Sequence, residues 1–293
     1  MVLEESPQIP ISEEVFKQLQ LAKSILSAAF AIEEKYDLLI ANYIELEKEL
    51  ISISIANTVQ NARQYKQFFD IRAGINRRAV NLLTACRLYL DQIPQHLKEC
   101  LQGESSVHDD LKNLLSTQYD ESAAYRFLEA LRNHVQHCGL AVYGLSIDSE
   151  WATFKNEELL STVVAPYIEK RYLVDDKKFK KAVLLEIADK VDLMSFVREY
   201  IQRLGAVHKY VRDKVAHSTL KARNLVNGKI ELYSQASSGE TIGLNAISND
   251  GVEDTTFFPL FLDWDDVRLQ LIDRNTTAVN LSRRFVSSRI LNL

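Results

Sequence analysis

Glycine and proline are scarce in this chain. Nine Gly and five Pro in 293 residues are too few for the many tight turns of an all-β fold. Cysteine is scarce as well. Cys86, Cys100 and Cys138 are odd in number and form no CxxC pair, which speaks against a disulfide framework and a thiolate zinc site. They are expected as mostly small buried residues. No apolar run reaches the roughly 18 to 20 residues that a membrane-spanning helix needs. The opening stretch from Met1 to Pro10 holds Glu4 and Glu5 and no basic residue, unlike a secretory signal. There is no excess of positive charge. With 35 Lys and Arg against 40 Asp and Glu, the net charge is -5. The whole protein is therefore no nucleic-acid coat, and any polyanion site has to be a local patch. No internal repeat is apparent. The expectation from these absences is a cytoplasmic protein with no membrane segment.

What is present is helical patterning. Hydrophobic residues make up 46% and charged residues 26%, as in a globular protein with a sizeable core. Ser12 is placed to cap a helix whose stripe runs Val15, Leu19, Ala22, Leu26, Ala29. The pattern continues through Leu39, Leu46 and Leu50, as one very long helix or two with a bend near Glu33. A second helix is expected from Gln64 to Leu90, with Pro94 ending or kinking it, and a short one from His108 to Leu115. Asp120 or Ser122 caps the run Tyr125 to Leu145, with a break over residues 146–149. Glu157 to Glu169 reads as a helix interrupted at Pro166. Asp175 and Asp176 cap a basic helix starting at Lys177, and Asp192 or Ser195 starts a helix through Val215. Asn227-Gly228 reads as a turn of hairpin character, and Ser234 to Thr256 as a Gly/Ser/Asn-rich loop. Phe257 to Leu262 reads as a strand or apolar plug. Asp263 or Asp265 caps a last helix reaching Ile290. The expected fold is all-α, a helical bundle with a minor loop or β-hairpin insertion before the last helix. Residues 1–150 form one bundle and residues 151–293 a second helical region.

Two hexapeptides organise the functional reading. Arg132-Asn133-His134-Val135-Gln136-His137 places a polar residue directly after an arginine and a histidine five places on. Arg212-Asp213-Lys214-Val215-Ala216-His217 repeats the pattern. One occurrence of so short a pattern is weak evidence, and the second strengthens it. On a helix Asn133 and His137 share a face, as do Asp213 and His217. Each arginine lies about 140° around the axis from its histidine, so one helix cannot surround a small substrate and a pair of helices can. Two arginines and two histidines in one cleft match the needs of RNA phosphodiester cleavage. A base takes the 2′-hydroxyl proton, an acid protonates the leaving 5′-oxygen, and fixed cations neutralise the phosphorane. Histidine titrates near neutrality, and arginine offers phosphate a planar, permanently charged fork. No metal or other cofactor is required, and the carboxylate clusters of two-metal nucleases are not evident.

The helix from Phe127 to His137 resembles the motif helix of HEPN domains. These are small all-α bundles, many of them metal-independent RNases, whose signature is Arg, four to six residues, then His, with Asn, Asp or His directly after the Arg. The resemblance implies Arg132, His137, Arg212 and His217 as catalytic residues, with Asn133 and Asp213 in support. Glu129, three before Arg132, lies where the family often has an acidic partner, and His134 is a further supporting residue. In the family two domains pair, often as a homodimer, around a shared cleft, in toxins, phage-defence proteins and some CRISPR effector RNases. The implied partner is RNA, single-stranded or tRNA-like, and the implied activity is a metal-independent endoribonuclease in a toxin or defence role. The match covers the two motif helices closely and residues 12–145 more loosely. Lys177 to Lys181, Arg77-Arg78 and Arg283, Arg284 and Arg289 are basic groups able to steer RNA. The alternatives are a non-catalytic HEPN-like module that binds nucleotide or protein, and a helical scaffold in which these side chains serve packing. In the scaffold Arg132 pairs with Glu129, and Val211, Val215 and Leu220 account for the second helix.

Overall fold

A computed structural model of the protein describes residues 7–60, 64–102, 105–154, 157–248, 256–276, 278–284 and 286. It is mostly helical, about 70%. Helix α1 (Glu13–Val59) is continuous over 47 residues, and Ser12 Oγ accepts from the Val15 amide at its start. Helix α2 (Tyr65–Cys100) passes through Pro94 without ending. Helices α3 (Ser105–Asp120) and α4 (Ala123–His137) follow. Strands β1 (Gly144–Phe154), β2 (Glu157–Glu169) and β3 (Lys190–Asp192) form an antiparallel sheet in that order. The short helices α5 (Arg171–Val174) and α6 (Lys181–Glu186) lie between β2 and β3 in sequence. Helix α7 (Leu193–Ala236) spans 44 residues. An antiparallel pair, β4 (Asn245–Ser248) and β5 (Thr256–Pro259), precedes α8 (Asp263–Arg274). A single 3-10 turn, Leu281–Arg283, comes after it. No described helix is long and apolar enough to cross a membrane.

Several sequence expectations are corrected. The stretch 157–169 is strand β2 and not a helix. Val164, Pro166 and Ile168 are buried, alternating with less buried neighbours, and this period of two is the strand's signature. Pro166 pairs with Leu145 of β1, whereas β3 covers only Tyr167 to Glu169. The missing proline N–H therefore falls where β2 has a neighbour on one side only. The run expected to reach Leu145 stops at His137, and residues 146–149 belong to β1 rather than to a break. No hairpin forms at Asn227-Gly228, because α7 continues through it. Burial of Ala222 and Val226 four residues apart and an Asn227–Glu231 hydrogen bond of 2.6 Å outweigh the ~1 kcal/mol cost of a helical glycine. Lys177 to Lys180 form turns ahead of α6 rather than a helix. The last α-helix stops at Arg274, and the calls on Arg289 and Ile290 lie outside the described residues.

The chain divides into two compact units that interleave in sequence. One comprises Met1–Asp37, Asp91–Leu111 and Tyr210–Thr276, the other Leu38–Leu90, Lys112–Lys209 and Thr277–Leu293. A boundary at residue 150 falls inside β1. The first unit's core joins Phe16, Leu19 and Leu26 of α1 to Ala222 and Val226 of α7 and Phe258 of β5. The second unit buries Leu46 of α1, Leu82 and Tyr89 of α2, Phe127 and Leu131 of α4 and Ile201 of α7.

Candidate functional site

Helix α4 belongs to the second unit. Ser122 caps it, its hydroxyl accepting from the Tyr125 amide at 3.0 Å. Ala124, Phe127, Leu128, Leu131 and His134 make its buried stripe, so His134 takes a place that spacing alone would assign to an apolar residue. Arg132 is half-buried, and Asn133 and His137 are exposed. Arg132 Nη1 donates to Asn133 Oδ1 at 3.0 Å. Its Nε is buried and has no hydrogen-bond partner among the described residues. Glu129 is engaged elsewhere. It accepts from the Tyr200 hydroxyl and pairs with Arg87 at 3.4 Å. Burial and then the Glu129 carboxylate push the Tyr200 phenol far above its usual range.

The second hexapeptide lies on the part of α7 that belongs to the first unit, and its arginine is fully committed. Arg212 Nε and Nη2 donate to the two carboxylate oxygens of buried Glu33 at 2.9 and 2.6 Å. Its Nη1 donates to the Asn275 carbonyl at 2.8 Å, and its guanidinium lies 5.6 Å from the Tyr36 ring centroid. This bidentate geometry is the one a phosphate would otherwise receive. Asp213 and His217 are exposed. The two motif arginines thus fall in different compact units and in different bonding states.

The second unit also builds a cluster of four side chains around His134. The ring donates from Nδ1 to Asp176 Oδ2 at 2.9 Å, which in the neutral imidazole leaves Nε2 to accept from the Tyr143 hydroxyl, also at 2.9 Å. Tyr143 Oη in turn accepts from the Leu140 amide. Every member is held in place. Asn76 of α2 both donates to the Val142 carbonyl and accepts from its amide, each at 2.8 Å. Arg72 reaches the Tyr143 carbonyl. Tyr143 stacks on Tyr172 with centroids 4.3 Å apart. Asp176 sits in a turn after α5, where its Oδ1 accepts from the Lys178 amide at 2.9 Å. Phe179 packs edge-on against the His134 ring. Gly139 is required, since a β-carbon there would overlap the Tyr143 hydroxyl and His134 Nε2.

Cys138 closes α4 as its C-cap, its amide bonded to the His134 carbonyl at 2.7 Å. It is exposed, unlike the buried Cys86 and Cys100, which corrects the expectation of small buried residues at this position. The hydrogen bond from His134 holds the Asp176 carboxyl below its usual range. Surrounding protein atoms and then the Asp176 carboxylate raise the Cys138 thiol. Sequence reading gave a functional role to His134 alone of this group. Tyr143 lies nine residues away and Asp176 forty-two, and no spacing rule connects them.

A cleft of about 600 Å³ in the second unit is lined by Tyr43, Glu47, Val164, Met194, Arg198 and Leu281 among others, and by no motif residue. Two of its charged lining residues are already joined, Arg198 donating to both Glu47 oxygens at 2.8 and 2.9 Å. No protein-family model matches the chain, and neither the curated proteins nor the solved structures contain a match.

Proposed function

We propose that the protein is a metal-independent endoribonuclease of HEPN type, working at the end of α4 with Arg132 and His137. The observation that carries this reading is the contrast between the two motif arginines. Arg212 spends its whole fork on Glu33 and a carbonyl. Among the described residues Arg132 makes a single hydrogen bond, to Asn133, and keeps a buried Nε without a partner. Buried donors are normally satisfied, and a phosphate oxygen would satisfy this one. Asn133 fixes the guanidinium from the neighbouring position, and the exposed His137 is within reach of solvent and of a substrate strand.

In the reaction one imidazole takes the proton from the ribose 2′-oxygen, which attacks phosphorus. The bond to the 5′-oxygen breaks, and a second imidazole supplies the proton that the leaving oxygen takes up. The products are a 2′,3′-cyclic phosphate and a 5′-hydroxyl end. Arg132 balances the charge that grows on the phosphorane. Of the two histidines on α4, His134 is buried and bonded to Asp176 and Tyr143, so one α4 supplies one exposed histidine; the second comes from a second copy, and the working form is a homodimer. RNA, single-stranded or tRNA-like, is the substrate, and a toxin or defence role fits such an activity. For the second hexapeptide the scaffold reading is favoured, because the Arg212–Glu33 pair explains it without a substrate.

The test is cleavage of a labelled RNA pool in EDTA by the wild type and by His137→Ala, Arg132→Ala and His217→Ala, with sedimentation velocity on each. Cyclic-phosphate products are expected from the wild type and from His217→Ala. His137→Ala is expected to lose activity by roughly 10² to 10⁴-fold. Wild-type rates in His137→Ala, or no cleavage by the wild type, would sink the reading and leave a binding module or scaffold.

A further inference from the structure

We propose that His134 Nδ1, Cys138 Sγ and a carboxylate oxygen of Asp176 form a binding site for one zinc-class divalent cation. The three potential ligand atoms lie within 4.8 Å of one another. Tetrahedral zinc, with bonds of roughly 2.0 to 2.3 Å, sets its ligand atoms about 3.3 to 3.8 Å apart. The His134–Asp176 separation of 2.9 Å has to open by about half an ångström, and the thiol has to close by at most about one. Rotation of the exposed Cys138 side chain supplies the second movement without disturbing the backbone.

The donor set decides the metal. One imidazole nitrogen, one thiolate and one carboxylate suit zinc and its borderline neighbours, whereas magnesium and calcium take oxygen cages. Charge decides in the same direction. A thiolate and a carboxylate together neutralise a divalent ion, and the site lies at the C-terminal end of α4, where the unpaired carbonyls favour a cation. Lys178 is the positive neighbour that opposes loading. The surroundings hold the ligands where an ion needs them. His134 and Asp176 have side chains only 3% and 5% exposed. Asp176 is pinned by the Lys178 amide, and Tyr143 occupies the other ring nitrogen. Metal-bound histidines almost always have such an outer partner.

Loading balances as a proton exchange. The Cys138 thiol gives its proton to solvent. The single ring proton of His134 leaves Nδ1 and appears on Nε2, which then donates to Tyr143 Oη, and the Tyr143 hydroxyl proton turns away. Three protein ligands leave one tetrahedral position to water. Without the ion the Asp176–His134–Tyr143 hydrogen bonds keep the cluster closed, so chelation does not unfold α4. Sequence spacing placed no metal here, because His134 and Cys138 are four apart on one helix but Asp176 arrives from another part of the unit.

The test uses the purified full chain, stripped by dialysis against a chelator and titrated with Co²⁺. One equivalent is expected to bind, with thiolate-to-cobalt charge transfer in the near-ultraviolet and tetrahedral d–d bands, both removed by one equivalent of Zn²⁺. Cys138→Ala, an exposed position whose fold is checked by circular dichroism, is expected to lose the charge-transfer band and to bind at least tenfold more weakly. Asp176→Asn is expected to weaken binding and keep the band. Zn²⁺ is expected to raise the melting temperature of the wild type and not of Cys138→Ala. No charge-transfer band in the wild type, or equal binding by Cys138→Ala, overturns the proposal. None of these readouts passes through RNA cleavage.

Discussion

The hexapeptides on α4 and α7 share a sequence pattern and differ in what surrounds their arginines. On α7, Glu33 lies buried opposite Arg212 and accepts both arms of its fork. On α4, the nearest acidic residue in sequence, Glu129, is turned to Tyr200 and Arg87, and Arg132 is left with Asn133. The difference teaches that a motif arginine becomes an anion site or an internal clamp according to which carboxylate the tertiary structure brings to it. A buried carboxylate holding both arms of the fork removes the arginine from solution chemistry at 25 °C, since separating them would leave an uncompensated buried charge.

The largest effects should come from forcing the two regions apart. His137→Ala is expected to cut RNA cleavage by roughly 10²-fold or more, while His217→Ala leaves the rate unchanged, as read by product formation on labelled RNA. Equal losses in both would make the two hexapeptides alike and erase the contrast. Next, Glu33→Ala should destabilise the protein by about 3 to 5 kcal/mol, because it strands Arg212 in a site built to pair it. Asn133→Ala, which removes the partner of Arg132, should cost less than about 1 kcal/mol, both variants being read by urea titration. A Glu33→Ala variant as stable as the wild type would show that Arg212 is as uncommitted as Arg132.

A smaller effect is expected at the junction between α4 and β1. Gly139→Ala should cost about 1 to 3 kcal/mol by overpacking, since its β-carbon meets the Tyr143 hydroxyl and the His134 ring. Gly228→Ala, where nothing lies within 4 Å, should instead stabilise α7 by up to about 1 kcal/mol. Thermal melts of the two variants moving in the same direction would contradict this. The smallest effect is in pH. The Asp176 carboxyl is depressed below its ordinary value of 3.8. A depressed carboxyl contributes stability that is present above the unfolded value and is lost as pH falls through the folded one. His134, Cys138 and Lys178 are the groups that face it. Asp176→Asn should therefore flatten the acid limb of stability against pH below about 4 and change little near neutrality. An unchanged acid limb would mean that the carboxyl is not held by His134.

Much of the helical framework was readable from local chemistry. The stripe from Val15 to Leu50, the caps at Ser12 and Ser122, and the lack of glycine across α1 all act within a few residues of themselves. They hold whatever the rest of the chain does. Strand β2 was misread because Leu159 and Leu160, read with Val163 and Val164, imitate a helical face. The alternation of Val164, Pro166 and Ile168 carried the right period over only three positions. The continuity of α7 across Asn227-Gly228 was hidden for the opposite reason. A strong local turn signal was overruled by burial of Ala222 and Val226 in the core.

The site shows the same division. Sequence singled out Arg132, Asn133, His134 and His137 through a hexapeptide pattern, an arginine followed by a polar residue with a histidine five places on, and their spacing on α4 follows from helical geometry alone. Which of them are exposed was decided by packing, which put His134 in the core stripe and His137 in solvent. Asp176 and Tyr143 came to His134, Asn76 to Val142, and Glu33 to Arg212, only through the fold. Their partners lie 42, 9, 66 and 179 residues away in the bonds they make. Sequence by itself determined the helical class of this protein and the placing of its motif residues on helices, because those depend on interactions a turn or two long. The bonding state of each arginine and the cluster around His134 were left to the tertiary structure, because long-range charge pairing and close packing have no local period to read.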